Sequence, residues 1–171
     1  MVGGWLAAGL CEEICRAWGL RWVARKSSLT TSESAMNAVG HSGLETWMVG
    51  AMFIGIAGLR AMPEADLPEP LVDWLASNED AGLVMGLVFA LHRLCFGLLI
   101  HGTYTAFVVR SIHRGSRRWL LLAMLLHAAN NAMATTFQES LTEPAFLGVY
   151  SVGLVVVYGG LLRWLWQTRG S

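Results

Sequence analysis

Cys11-Glu12-Glu13-Ile14-Cys15-Arg16 sets two carboxylates and a guanidinium in the middle of an otherwise apolar N-terminal stretch. One such group at a bilayer centre costs about 2.5–3.5 kcal/mol, so three without partners would cost roughly 8–10 kcal/mol. The segment must either stay in water or be buried against polar partners from other helices. Composition selects burial. Hydrophobic residues make up 54% of the 171 residues and charged ones 14%, against about 25% charged in soluble domains. Too little polar surface remains for a water-soluble exterior, and the chain reads as one integral membrane domain, 1–171. Net charge is zero and no basic stretch is interleaved with aromatics, so nucleic acid is excluded as a partner. Cys11, Cys15 and Cys95 form no C-x-x-C pair, and are expected to be small fillers of the core.

Apolar runs predict an all-α, polytopic transmembrane helical bundle of about five spans, at 3–24, 34–60, 82–109, 119–137 and 145–166. Ser32 or Ser34 is expected to cap the second span. Pro63, Pro68 and Pro70 mark 61–81 as a loop with a short interfacial helix at Leu71–Ala76. Gly82 and Gly86 give the third span a small-residue face for close helix approach. The segments 25–33 and 110–118 and the tail are basic, whereas 61–81 and the turn with Glu139 and Glu143 are acidic. The positive-inside rule places the basic segments and the C-terminus in the cytoplasm of a multi-pass cell-membrane protein, with the N-terminus outside. A first span starting directly after Met1 on that outer side leads to the expectation that upstream helices are missing from this chain.

Four of the five spans carry a polar pair at i and i+4: Glu12/Arg16, His41/Glu45, His101/Thr105 and His127/Asn131. That spacing puts both members on one helix face, and four polar faces are the makings of a wet pocket inside a bundle. Intramembrane ionisable groups are by default functional and face the interior. A carboxylate beside a histidine can activate water as a general base. A second histidine with an asparagine one turn on can supply donors to a developing oxyanion. Neither G-x-S-x-G nor H-E-x-x-H occurs, and no cofactor is expected. The histidines and glutamates leave a metal open, since ligands can come from separate helices. Two other readings share these residues: a carrier whose pocket binds an ion or small polar ligand, and a metal- or haem-binding membrane protein using His41, His101 and His127.

Glu-Glu-x-x-Arg on one span, Gly-His-x-Gly-x-Glu on the next and a late His-x-x-x-Asn resemble the YhfC family of intramembrane proteases, related to the CAAX-processing and PrsW proteases. The resemblance covers roughly 9–135. It implies a glutamic-type intramembrane endopeptidase acting on a membrane-embedded peptide or protein in the lipid bilayer. Glu12 and His41 would activate the attacking water, His127 and Asn131 would stabilise the oxyanion, and Glu13 and Arg16 would orient the site. Glu45 and His101 match positions often polar in such sequences. Two departures separate this chain from the CAAX-processing pattern: that pattern spaces its arginine one residue further from the glutamates, and it has Phe where Asn37 stands here, four residues before His41.

Overall fold

The computed structural model describes residues 2–26, 29–77, 83–136 and 144–168, and their regular structure is entirely helical. Helix α1 (Val2–Ala24) is followed by α2 (Thr31–Arg60), a 3-10 turn at Glu64–Asp66 and α3 (Glu69–Ser77). Then come α4 (Leu83–Arg114), α5 (Arg117–Thr136) and α6 (Pro144–Leu154), which passes through a π-helical turn (Val155–Gly159) into α7 (Gly160–Gln167). The chain is thus an all-helical membrane protein. Gly82 and the turn carrying Glu139 and Glu143 lie outside the described residues, as do the side chains around Gly86.

The expected elements are present, with shifted ends. The cap of α2 is Thr30 rather than Ser32 or Ser34. Thr30 Oγ1 accepts the Glu33 N–H (3.2 Å) and Glu33 Oε2 accepts the Thr30 N–H (2.7 Å), a reciprocal capping box. The basic segment 110–118 is mostly helix. α4 continues through Arg114 and stops at Gly115, whose φ of 61° suits a residue without Cβ. The Ser116 N–H reaches the Ser111 carbonyl (3.2 Å) and the Gly115 N–H that of Ile112 (3.3 Å), the Schellman pattern of helix ends.

Three helical stretches among the described residues are long and apolar enough to cross a membrane: Thr31–Arg60, Ala90–Arg114 and Ala145–Gln167. Of the other two expected spans, α1 carries Glu12, Glu13, Arg16 and Arg21, and α5 carries His127, Asn130 and Asn131. Their lower hydropathy comes from these polar residues. The exterior of α1 is nevertheless apolar. Leu6, Leu10, Ile14, Trp18 and Trp22 recur every fourth residue and are exposed, Trp18 to 75%. A solvent-facing helix would be polar on that stripe, so it is suited to lipid. Cys11, Cys15 and Cys95 are free and exposed, which corrects the core-filler expectation. They are apolar enough to sit on an outward face.

By contact density the chain divides into two compact units, 1–39 with 98–171, and 40–97. In the first, the core is built by Ala17 and Leu20 of α1, Phe107 and Val108 of α4, Ala123 of α5 and Leu165 of α7. The inner face of α1 follows helical spacing through Gly9, Glu13, Arg16, Ala17 and Leu20, all buried. Gly9 lets α1 approach α5: a Cβ there would lie 2.8 Å from the backbone nitrogen of Ala128. In the second unit, Gly97 of α4 faces Ser42 of α2, and a Cβ would stand 2.7 Å from the serine Oγ. Gly9→Ala should therefore lower the melting temperature of the purified protein by pushing α5 off α1, a misfit of about 1–3 kcal/mol. Gly19→Ala, which meets nothing within 4 Å, should leave it unchanged or raise it slightly through helix propensity.

Candidate active site

Arg16 is the centre of the first unit's polar cluster. Its side chain is 1% exposed and its Nε donates to Glu13 Oε2 at 3.0 Å. Nη1 donates to Thr105 Oγ1 (3.0 Å) and reaches Asn37 Oδ1 (3.5 Å), while Nη2 meets His101 Nδ1 at 3.1 Å. Thr105 Oγ1 in turn donates to Asn37 Oδ1 at 3.4 Å. Glu13, fully buried, offers its other oxygen, Oε1, to His127 Nδ1 at 2.8 Å. The guanidinium thus reaches α1, α2 and α4 directly, and α5 through Glu13.

This corrects one pairing read from spacing. Glu12 and Arg16 share a face at i+4, but the ion pair is Glu13–Arg16 at i+3, which is also a same-face spacing. Glu12 instead turns its Oε2 to His127 Nε2 at 3.6 Å, with its side chain 32% exposed. The reason is lateral. Glu13 points into the helix packing, where both oxygens find donors, and Glu12 sits at the rim.

Hydrogen-bond chemistry fixes the two buried rings differently. An arginine only donates, so His101 accepts at Nδ1 and its neutral ring carries the proton on Nε2. A carboxylate accepts, so His127 donates from Nδ1 to Glu13 and its neutral ring has the lone pair on Nε2, the edge facing Glu12. Nε2 of His101 thus carries an N–H, and Nε2 of the neutral His127 ring a lone pair. His127 is also held from the side. Tyr104, fully buried, stacks on it with centroids 4.7 Å apart and 19° between planes. The Tyr104 hydroxyl is anchored on the Tyr158 hydroxyl (2.9 Å), within the π-helical turn, and donates to the Leu126 carbonyl (3.3 Å).

The pair read as His101/Thr105 holds as spaced, since both touch Arg16. The His127/Asn131 pair does not bond directly: both ring nitrogens of His127 face glutamates, and Asn131 is half-buried one turn further on. His41 and Glu45 belong to the second unit. There His41 Nε2 stands 3.6 Å from Glu45 Oε1, and Glu45 Oε2 accepts from Arg93 Nη1 at 2.6 Å. Arg93 is half-exposed and pairs with α2. Sequence reasoning missed Asn37 as a partner of Arg16, and Tyr104 and Tyr158 altogether. The signals were an asparagine one turn before His41 and an aromatic one turn after His101.

Together these features define an all-helical membrane protein with a buried acid–base centre. The chain belongs to a family of intramembrane proteases: the family model described as YhfC intramembrane metalloprotease matches residues 1–151. No curated protein and no solved structure matches the chain.

The metal in that family description can be tested against the donors. Tetrahedral zinc with ligands at roughly 2.0–2.2 Å sets neighbouring donor atoms a little over 3 Å apart. Glu12 with His127, and His41 with Glu45, each stand at 3.6 Å. Glu13 on Nδ1 of His127 is the carboxylate–histidine arrangement that orients metal-ligating imidazoles. The donor chemistry therefore fits.

Breaking a buried ion pair by removing one member costs about 3–5 kcal/mol. Arg16→Met should destabilise the protein by about that much, and adding Glu13→Gln to it should recover part of the loss. A double-mutant cycle on thermal or denaturant unfolding in detergent reads the coupling. Additive effects would remove Arg16 as the organiser of Glu13.

Proposed function

We propose that this protein is a glutamic-type intramembrane endopeptidase that hydrolyses peptide bonds of membrane-embedded proteins with a water activated between Glu12 and His127. The supporting observation is the Glu13–His127–Glu12 row: Glu13 holds Nδ1–H, so the Nε2 lone pair faces the Glu12 carboxylate. At 3.6 Å the two atoms are beyond a direct hydrogen bond and suited to sharing one water. As the water oxygen attacks the scissile carbonyl, its proton passes to this pair and then to the leaving amine, as an oriented imidazole does in other hydrolases. A protonated His127 becomes a donor at Nε2, so its expected oxyanion role follows proton capture. His101, with Nε2–H already in place, and the Asn131 amide are the proposed additional oxyanion donors. Arg16, Asn37, Thr105 and Tyr104 position these rings without touching substrate.

His41 and Glu45 enter the proposal through their motif and their matched His–carboxylate separation. Were the metal of the family description present, Glu12 and His127 are the donors of the first unit that would hold it. It would polarise the scissile carbonyl and acidify water. The five-span count, the single domain and the cytoplasmic placement of 25–33, 110–118 and the C-terminus belong to the same reading. The apolar outer stripe of α1 supports the span count, and the basic helix ends support the orientation. A carrier or haem protein is less well supported, because family membership points to proteolysis.

In proteoliposomes with a fluorogenic membrane-spanning substrate, Glu12→Gln and His127→Gln should each lower kcat by roughly 10²–10⁴-fold with the fold retained. His41→Ala should do likewise. Full activity in Glu12→Gln and His41→Ala would overturn the mechanism. Cleavage should also persist after exhaustive dialysis against a chelator. Loss restored by zinc would transfer water activation from the side chains to a metal.

A further inference from the structure

A second feature of the first unit is separate from the acid–base centre. A groove of about 460 Å³ runs between the start of α2, the C-terminal half of α4 and α7. That is the size range of sites that enclose a small amphipathic ligand, roughly 300–1,000 Å³. Its walls are mostly apolar, from Ala38, Ala106, Val109, Leu162 and Leu165, and Gly102 and Thr105 line it further from the mouth along α4. Its polar lining gathers where α2 begins and α4 ends: Thr30 and Thr31 on one side, Arg110, His113 and Arg114 on the other.

The charged side chains that line this mouth, Arg110 and Arg114, favour an anion. The start of α2 presents the positive end of a 30-residue helix. Its acid, Glu33, is turned back onto Thr30 by the capping box and does not line the groove. Arg110 is fixed by Nη1 on Thr168 Oγ1 (2.6 Å) and by the Trp119 and Trp164 rings (4.6 and 5.5 Å). Its Nε–H is buried, yet no acceptor among the described residues meets it. A held guanidinium with a spare donor, above an apolar slot, matches a phosphate that carries an acyl chain.

We propose that this groove is a binding site for an anionic phospholipid, with the phosphate at Arg110, Arg114 and the start of α2, and an acyl chain along the wall toward Thr105. Charge distinguishes this occupant from a substrate span. The cytoplasmic flank of a membrane protein is itself basic, and the Arg110–Arg114 end would repel it. Basic pockets between spans at the cytoplasmic side recognise anionic headgroups on the same electrostatic grounds. The wall that the acyl chain would follow includes Thr105, which holds Arg16 at 3.0 Å, so the lipid would brace the Arg16 cluster from outside.

The test is lipid retention by the full chain in detergent, read by native mass spectrometry and melting temperature, with phosphatidylglycerol against phosphatidylcholine of the same chains. Phosphatidylglycerol should bind more tightly by roughly ten- to thirty-fold, the contribution of two basic side chains. The double variant Arg110→Gln, Arg114→Gln should bring it down to the phosphatidylcholine level. Ala106→Phe, which fills the slot and leaves the arginines in place, should weaken both lipids. Equal binding of the two lipids, or undiminished phosphatidylglycerol binding in Ala106→Phe with its melting temperature intact, would overturn the proposal. So would inorganic phosphate matching the lipid's stabilisation, which leaves a bare anion site, or a membrane-spanning peptide that phosphatidylglycerol cannot displace.

Discussion

A buried guanidinium in a membrane protein imposes a debt of unsatisfied donors, and the organisation of the first unit follows from meeting it. Arg16 has donors on three nitrogens, and their partners come from three helices: Glu13 on its own helix, Asn37 on α2, His101 and Thr105 on α4. Because hydrocarbon supplies no alternative partner, these bonds act as a registry device. A helix sliding by one turn would strand a charge. The registry also explains why α1, with four charged residues, can remain in an apolar protein.

Chemical differentiation follows from the same registry. Glu12 and Glu13 are adjacent and identical in sequence terms, yet one is fully buried with both oxygens engaged and the other stands at the rim facing a histidine nitrogen. His101 and His127 are likewise the same residue with opposite Nε2 states, one set by a cation's N–H and the other by a carboxylate. Packing maintains the difference. Tyr104 supports the His127 ring, and Tyr158 anchors Tyr104 from a π-helical turn, a local irregularity that recurs at functional sites.

Around this centre the chain is built inside-out relative to a soluble bundle. The outer stripe of α1 is leucine, isoleucine and tryptophan. The helix ends are marked instead by cations over indoles: Lys26 over Trp22, and Arg110 and Arg118 over Trp119. Such pairs hold a helix end at a membrane–water boundary, where one side of the residue is wet and the other apolar.

The all-helical architecture, the positions of the helices and the identity of the polar residues were legible in the sequence, because apolar run length and helical periodicity act locally. The pairs His41/Glu45 and His101/Thr105 were legible for the same reason: each lies on one face of one helix. What spacing left open was the partner across helices. Glu13 rather than Glu12 for Arg16, glutamates rather than Asn131 for His127, and Asn37 and Tyr104 as supports were all decided by which helices pack together. So was the outward position of the three cysteines. The close approach at Gly9 and Ala128 sets α5 against α1 and brings His127 to Glu13. A one-dimensional pattern fixes which face of a helix is polar, whereas only the packed structure fixes what that face meets, and with it the proton positions on which the chemistry rests.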